Sequence, residues 1–167
     1  GIPYWSADIG GFFGGPPANP GYAELFTRWY QFAVFNPMFR IHGTGEGKEI
    51  WKFDAATQGI LIDYDHLRYR LLPYIYSASW DVTHNQGTMM RPLVMDFRED
   101  AAALTISDEY MFGKALLVAP VTQPRAEVRT VYLPGTGGWF DFWTGAKYSG
   151  GQTVVAKADI KTLPLYV

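Results

Sequence analysis

Two short segments of the chain place ionisable side chains and glycine directly after apolar stretches. Residues 8–12 read DIGGF and follow an apolar run at 1–5, and residues 39–43 read FRIHG and follow a second apolar run at 32–35. Polar groups that come directly after buried strands often lie where the strands open onto a site, as at the C-terminal face of an α/β barrel. A carboxylate, a guanidinium and an imidazole at such an edge could together hold a small hydroxylated ligand.

Asp8 and His42 each allow two interpretations. Asp8 could bind a hydroxyl group or orient a neighbouring side chain, but Asp is also common as a turn residue before glycines such as Gly10 and Gly11. His42 follows Arg40 by two residues, so both side chains point the same way if the segment is extended. His42 could bind a ligand or have a purely structural role, and both alternatives stay open at this point.

Composition excludes several classes of protein. Of the 167 residues, 48% are hydrophobic and 17% are aromatic, which is typical of an ordered chain with one core or with one core and a small appendage. The 14 basic and 16 acidic residues give a net charge of -2 without a basic stripe, so we expect no nucleic acid partner. The sequence contains no apolar run long enough to cross a membrane, so we expect no membrane partner either.

The sequence also gives no support for a metal site or for cysteine chemistry. The chain contains no Cys, which rules out disulfides and thiolate nucleophiles. Its 3 His residues form no His-x-x-x-His pair. We therefore predict no metal site.

The hydrophobic pattern changes along the chain and predicts two parts. Up to about Pro120, candidate strands at 1–6, 32–40 and 89–95 alternate with helices at 22–31 and 63–80, as in a parallel sheet, and Pro73 kinks the second helix. Later alternating segments between Gly-rich turns predict antiparallel strands at 128–133, 139–143, 152–156 and 163–167. We therefore predict a boundary near residue 122, which separates a part at 1–122 from a part at 123–167.

Four blocks of the sequence form one recognisable pattern. In chain order they are residues 8–12, Arg28-Trp29 with residues 36–42, residues 68–76, and residues 91–93 with residues 116–121. Together they resemble glycoside hydrolase family 31, the retaining α-glucosidases and α-xylosidases. The resemblance implies an α/β fold: the C-terminal portion of a (β/α)8 TIM barrel followed by the first strands of an antiparallel β-sandwich. Such a portion cannot close a barrel, so we expect it to be stable only with the remainder of the same catalytic domain.

The resemblance also implies roles for four residues of the two opening segments. His42 matches the family histidine that hydrogen-bonds the sugar where cleavage occurs, and Phe12 matches an aromatic wall of the same subsite. Asp8 lies at the polar mouth of the same strand, and Arg40 matches a residue that orients carboxylates. These four are the predicted substrate-binding residues.

No residue of this chain matches a catalytic residue of the family. Family members use two Asp residues, a nucleophile and a general acid/base, whose carboxyl groups lie about 5–5.5 Å apart in retaining enzymes. The Trp-x-Asp-Met-Asn-Glu motif of the nucleophile is absent, and the acid/base segment would precede Gly1. We therefore predict that the chain alone is inactive, and the resemblance implies no cofactor.

The predicted function is that of a segment of an exo-acting, retaining α-glycosidase that hydrolyses α-linked xylose or glucose from an oligosaccharide. The sequence RIHG at 40–43 favours the α-xylosidase branch, because glucosidase-like members more often have RNHN there. The alternative is a non-catalytic carbohydrate-binding or scaffold protein. Sugar binding by the chain alone that weakens in a His42→Ala variant would favour this alternative.

Overall fold

The computed structural model describes residues 3–45 and 47–167. Its first helix, α1 (Pro20–Ala33), confirms the helix predicted at 22–31. The Asn19 side chain caps this helix by accepting hydrogen bonds from the backbone N–H groups of Gly21 (2.9 Å) and Tyr22 (3.2 Å), and Pro20 pre-forms its first turn. The buried face of α1 includes Tyr22 and Phe26, which lie next to Gly10.

The kinked helix predicted at 63–80 is two helices, α2 (Ala55–Arg70) and α3 (Leu72–Asn85). The two helices meet at Leu71. Pro73 lies in the first turn of α3, and because it has no backbone N–H it cannot continue the hydrogen bonding of α2. The true start of α2 has a sequence signal at Asp54, whose carboxylate accepts from the N–H groups of Ala56 (3.0 Å) and Thr57 (3.1 Å). Helix α2 packs against α1.

The first two predicted strands are wrong in the described residues. Residues 3–6 are bends and irregular backbone, and Gly1 and Ile2 of that prediction lie outside the described residues. Residues 34–40 are also irregular, because Arg68 occupies the carbonyl groups that a strand would offer to a neighbour: it donates to Val34 (2.6 Å), Asn36 (2.7 Å) and Pro37 (3.0 Å). Within residues 3–45 and 47–167, the parallel pairing is limited to one isolated bridge between Ile9 and Ile41.

The third predicted strand, at 89–95, is shorter than expected and belongs to an antiparallel sheet. It forms β1 (Met90–Pro92), followed by the single-turn helix α4 (Leu93–Asp96). The sequence pattern missed β2 (Tyr110–Phe112) and β3 (Leu116–Val118), which continue the sheet. The last strand of the chain, β8 (Leu165–Tyr166), completes the order β1-β2-β3-β8, in which every neighbour is antiparallel.

The antiparallel strands predicted after residue 122 are confirmed. Two further two-stranded sheets pair β4 (Val128–Leu133) with β7 (Gln152–Lys157) and β5 (Gly138–Phe140) with β6 (Lys147–Ser149), and β6 alone was not predicted. Because β8 pairs with β3, strands from both sides of residue 122 share one sheet. Leu163 and Leu165 are also buried in the same core cluster as α1 and α2.

Segment 158–162, which we call the seam, joins the C-terminal strands to the helices. All of its carbonyl groups accept side-chain hydrogen bonds from α1 and α2. Arg28 donates to those of Ala158 (2.6 Å), Asp159 (2.9 Å) and Thr162 (3.2 Å). Gln31 donates to that of Ile160 (2.7 Å), and Tyr64 to that of Lys161 (3.1 Å). The seam therefore fixes α1 and α2 against the C-terminal strands.

Candidate functional site

The bridge between Ile9 and Ile41 aligns the two segments that carry the predicted site residues. The bridge is parallel, so the residues just before it, Asp8 and Arg40, are neighbours. The Arg40 Nη2 atom lies 3.3 Å from Asp8 Oδ1, and both side chains keep contact with solvent, with exposed fractions of 56% and 29%. An ion pair this exposed stabilises the fold by at most about 1 kcal/mol, so both groups remain available to a ligand.

Phe12 and His42 form the second half of the site. Their ring centroids lie 5.7 Å apart with an interplanar angle of 61°, an edge-to-face contact. Both side chains are exposed, and the backbone carbonyl of Phe12 accepts a hydrogen bond from the Thr44 N–H at 2.8 Å. An exposed aromatic ring beside an imidazole offers a sugar an apolar contact and a hydrogen-bonding group at one place.

Lys48 is a structural residue of the site that the sequence analysis missed. Its side chain is buried, and its Nζ donates to the carbonyl groups of Gly11 (2.6 Å) and His42 (2.7 Å), one from each segment. Burial lowers the pKa of Lys48, and the nearby Asp8 carboxylate opposes that shift. The sequence signal for Lys48 was its place in the Gly-rich stretch that follows His42. By its sequence, this stretch resembles a phosphate-binding loop only loosely.

The turn at Gly10 and Gly11 depends on glycine. Both residues have positive φ, +80° and +81°, and the Gly11 N–H donates to the Asp8 carbonyl at 2.8 Å. A Cβ atom on Gly10 would lie 2.5 Å from Phe26 Cδ2 and 2.6 Å from the Tyr22 hydroxyl oxygen. The Tyr22 hydroxyl of α1 also donates a hydrogen bond to the Gly10 carbonyl at 3.1 Å, so α1 stabilises this turn.

The other two histidines lie away from these segments, on the helices. His66 is exposed on α2, and His84 at the end of α3 stacks on Trp80 with ring centroids 4.4 Å apart. The described residues contain no group of three or more His, Asp or Glu side chains placed to hold a metal ion. Across residues 3–45 and 47–167, no helix is long and apolar enough to span a membrane.

Comparison with family models divides the chain into two matched ranges. Residues 1–78 match the model described as "Glycosyl hydrolases family 31 TIM-barrel domain", and residues 86–167 match "Glycosyl hydrolase family 31 C-terminal domain". The change from one model to the other thus falls between residues 78 and 86, earlier than residue 122.

Curated relatives match the whole chain but are much longer. An α-xylosidase of Saccharolobus solfataricus is 49% identical over 168 residues, which are 100% of this chain and 23% of the relative. The neutral α-glucosidase C of Mus musculus is 38% identical over 99% of this chain and 18% of the relative. The chain therefore spans about a fifth of the length of these two relatives.

Solved structures also match nearly the whole chain. A family 31 α-xylosidase from a soil metagenome, complexed with xylose, has a TM-score of 0.95 at 36% identity over 99% of this chain and 27% of that chain. The α-xylosidase of Xanthomonas citri has a TM-score of 0.93 at 42% identity over 99% of this chain and 19% of that chain.

Proposed function

Because this chain belongs to glycoside hydrolase family 31, we propose that it supplies part of the sugar-binding site of an α-glycosidase. Its fold class is the one expected from the resemblance, a portion of the family TIM barrel followed by the C-terminal domain. The activity of a whole protein that contains it belongs to the proposal, since the chain spans 23% of the 49% identical relative.

One observation carries the proposal: the parallel bridge between Ile9 and Ile41 brings the four candidate residues to one exposed edge. Asp8 accepts hydrogen bonds, Arg40 donates them, and His42 can do either, so the three groups suit the hydroxyls of a sugar. Phe12 adds an apolar surface for the C–H groups of the ring. The residues involved are Asp8, Phe12, Arg40 and His42 as substrate-binding residues, with Lys48 positioning two of their segments.

The proposed substrate is an oligosaccharide that ends in α-linked xylose or, failing that, α-linked glucose. Two lines of support favour xylose. The 49% identical relative is named an α-xylosidase, and a structure with a TM-score of 0.95 is an α-xylosidase complexed with xylose. The sequence at 40–43 points to the same branch.

In this proposal the covalent chemistry comes from other polypeptide of the same catalytic domain. Retention of configuration needs two carboxyl groups about 5–5.5 Å apart, one as nucleophile and one as acid/base. Asp8, the carboxylate of the candidate site, is paired with the Arg40 guanidinium at 3.3 Å and serves in binding. We expect no turnover of p-nitrophenyl α-D-xyloside by the purified chain, and turnover would contradict this division of roles.

A chimeric enzyme tests the binding role directly. This chain replaces the matching region of the Saccharolobus solfataricus α-xylosidase, and kcat/KM is measured with p-nitrophenyl α-D-xyloside. We expect an active chimera that loses about 10²-fold or more in kcat/KM on His42→Ala, the effect of removing one well-placed hydrogen-bonding group. His66→Ala is the matched control, because His66 is exposed on α2 and should leave kcat/KM unchanged.

The outcomes separate the two candidate functions. Equal kcat/KM for the His42→Ala chimera and the parent chimera would contradict the proposed site. A nuclear magnetic resonance titration of the chain alone with D-xylose covers the case in which the chimera does not fold. Saturable binding by the chain alone that depends on His42, together with a His42-independent chimera, would favour the carbohydrate-binding alternative.

A further inference from the structure

Phe13 is a fully presented aromatic ring directly beside the candidate site. Its exposed fraction of 85% is the highest of any large hydrophobic side chain among the described residues, and that of its neighbour Phe12 is 40%. The two ring centroids lie 5.0 Å apart with an interplanar angle of 79°, so Phe12 has an edge-to-face contact with Phe13 as well as with His42. Phe13 is therefore the outer ring of an aromatic cluster that includes two of the candidate sugar-binding residues.

The backbone on both sides of Phe13 is fixed by contacts within the site. On the amino side, the Phe12 carbonyl accepts a hydrogen bond from the Thr44 N–H at 2.8 Å. On the carboxyl side, a Cβ atom on Gly14 would lie only 2.9 Å from Lys48 Cδ, so the backbone there packs directly against the side chain that joins the two site segments. A ring carried by a fixed backbone loses little conformational freedom when a ligand covers it, which favours binding.

The exposure of Phe13 gives the described part of the chain no stabilising contact beyond the one with Phe12. A phenyl ring in water forgoes the free energy that burial would provide. Single exposed apolar residues are common on protein surfaces, but this ring stands on a fixed loop next to the predicted wall of a sugar subsite. Its flat apolar face matches the C–H face of a pyranose ring, which is the surface that aromatic side chains offer to sugars.

We propose that Phe13 binds the sugar unit on the leaving-group side of the cleaved bond. The inference rests on the proposed function, in which His42 and Phe12 hold the terminal xylose. An exo-acting site holds a single sugar on the non-reducing side, so an exposed ring beyond Phe12 can contact only the leaving group. The substrate class is then an α-xyloside whose leaving group is itself a pyranose. Phe13 is a specificity-determining residue in this proposal, because it acts on one class of leaving group and His42 acts on every xyloside.

Substrates with and without a sugar leaving group test this role. The chimera with the Saccharolobus solfataricus α-xylosidase is assayed with the disaccharide in which D-xylose is α-linked to D-glucose, and with α-D-xylosyl fluoride, whose leaving group is a single atom. We expect Phe13→Ala to lower kcat/KM about 10-fold for the disaccharide and to leave kcat/KM for the fluoride unchanged. Equal effects on the two substrates, or no effect on either, would overturn the proposal.

The shape of the side chain supplies a second readout. Phe13→Tyr keeps the flat ring and should retain kcat/KM for the disaccharide within about 2-fold, whereas Phe13→Leu is apolar without a flat face and should behave like Phe13→Ala. Phe140→Ala is the matched control, because Phe140 is 46% exposed on β5, a strand without candidate site residues. Full activity of Phe13→Leu toward the disaccharide would refute the stacking role. A Phe13→Ala chimera with lowered thermal stability would show that other polypeptide covers the ring, and this result also refutes the proposal.

His42→Ala separates a failure of this inference from a failure of the proposed function. Because His42 contacts the terminal xylose in that proposal, its loss should lower kcat/KM for the disaccharide and for the fluoride alike. Unchanged kcat/KM for both substrates would refute the proposed function. A loss in His42→Ala, combined with equal effects of Phe13→Ala on both substrates, would refute the role of Phe13 alone.

If the chimera does not fold, nuclear magnetic resonance of the chain with the same disaccharide takes its place. We expect nuclear Overhauser contacts between the Phe13 ring and the glucose unit. Contacts of Phe13 with the xylose unit only, or none at saturation with the disaccharide, would contradict the proposal.

Discussion

Gly10 is the residue at which the candidate site depends most directly on the absence of a side chain. With φ at +80° and a Cβ position 2.5 Å from Phe26 Cδ2, a Gly10→Ala variant must strain its backbone and displace a buried ring. We expect the free energy of unfolding to fall by about 2–4 kcal/mol. Because we expect the chain to be stable only with the remainder of its domain, urea unfolding of the chimera, followed by circular dichroism, measures the change.

Gly59 provides the matched control for this substitution. It lies within α2, and a Cβ atom there would meet nothing within 4 Å. Gly59→Ala should therefore stabilise the chain by about 1 kcal/mol, because alanine favours the helix interior. Similar losses of stability in both variants would show that the turn does not require glycine at position 10.

Lys48 holds the two site segments together through backbone carbonyl groups. A Lys48→Met variant keeps the apolar stem but leaves the carbonyls of Gly11 and His42 without their buried donor. We expect a loss of about 1–3 kcal/mol in the free energy of unfolding and a change in the chemical shifts of Phe12 and His42. Lys52→Met, at an exposed position, should change neither quantity, and a Lys48→Met variant that behaves like it would disprove the positioning role.

Sequence motifs identified some residues of the candidate site but not all of them. Asp8, Arg40, His42 and Phe12 were recognisable from residue type and family pattern, and the structure places Asp8 beside Arg40 and Phe12 beside His42. Their roles toward a sugar stay predictions. Lys48 escaped notice because its function comes from two backbone carbonyls that are distant in sequence from each other, and no local pattern records such a contact.

At the scale of elements, Arg28 is the main polar link between α1 and the seam. Its buried guanidinium donates to the carbonyls of Ala158, Asp159 and Thr162, and a methionine in its place would leave all of them without this donor. We expect Arg28→Met to lower the free energy of unfolding by about 3 kcal/mol or more. Hydrogen exchange of the amides at 158–162 should accelerate in the same variant.

A conservative variant and an exposed control sharpen this test. Arg28→Lys keeps the charge but loses the planar fork, so it should recover only part of the stability. Arg98→Met, at an exposed position, should leave both stability and exchange unchanged. If Arg28→Met matches that control, the seam is held by Gln31 and Tyr64 without it.

Helices were easier to predict than strands in this chain, for a physical reason. Apolar side chains at helical spacing located α1 and most of the region of α2 and α3, because that spacing is local in the sequence. The first residues of α2, from Ala55, were missed although the cap at Asp54 is also local. The parallel strands predicted at 1–6 and 32–40 depended on partners far away in sequence. Arg68, from α2, takes the carbonyl groups of Val34, Asn36 and Pro37 instead, and a single bridge at Ile41 is left.

At the scale of the whole molecule, Glu109 should make stability depend on pH. Burial raises the pKa of Glu109 from 4.5 to about 7, against the opposing effects of the Tyr132 N–H and Arg129, while Asp108 raises it further. The folded chain then binds a proton that the unfolded chain releases, so stability is full below pH 4.5 and falls as pH rises toward 7. The loss is at most about 3 kcal/mol.

Chemical unfolding between pH 5 and pH 7.5 checks this prediction. A Glu109→Gln variant cannot titrate at this position, so it should lose this part of the decline. Glu127→Gln, which changes an exposed carboxylate, should keep it. An unchanged slope in Glu109→Gln would contradict the assignment.

The division of the chain also belongs to the whole-molecule scale. The boundary near residue 122 stays a prediction. Strand β3 pairs with β8 from the other side of that residue, and the two family models match residues 1–78 and 86–167. The change of pattern near Pro120 marks the start of the two-stranded sheets β4–β7 and β5–β6. The four-stranded antiparallel sheet begins earlier, at β1. The sequence pattern did not reveal this start, because β1, β2 and β3 are too short to show alternation.

The amino-acid sequence by itself determined the family, the fold class, the helix α1, most of the helical region of α2 and α3, and the later antiparallel strands except β6. Each of these depends on local order: hydrophobic periods, Gly-rich turns and motif blocks in a fixed sequence. The tertiary structure alone decided the bridge between Ile9 and Ile41, the anchoring by Lys48 and the seam. Apart from the hydrogen bond between Lys48 and His42, these contacts join residues 32 to 134 positions apart, and such contacts arise only when the chain packs.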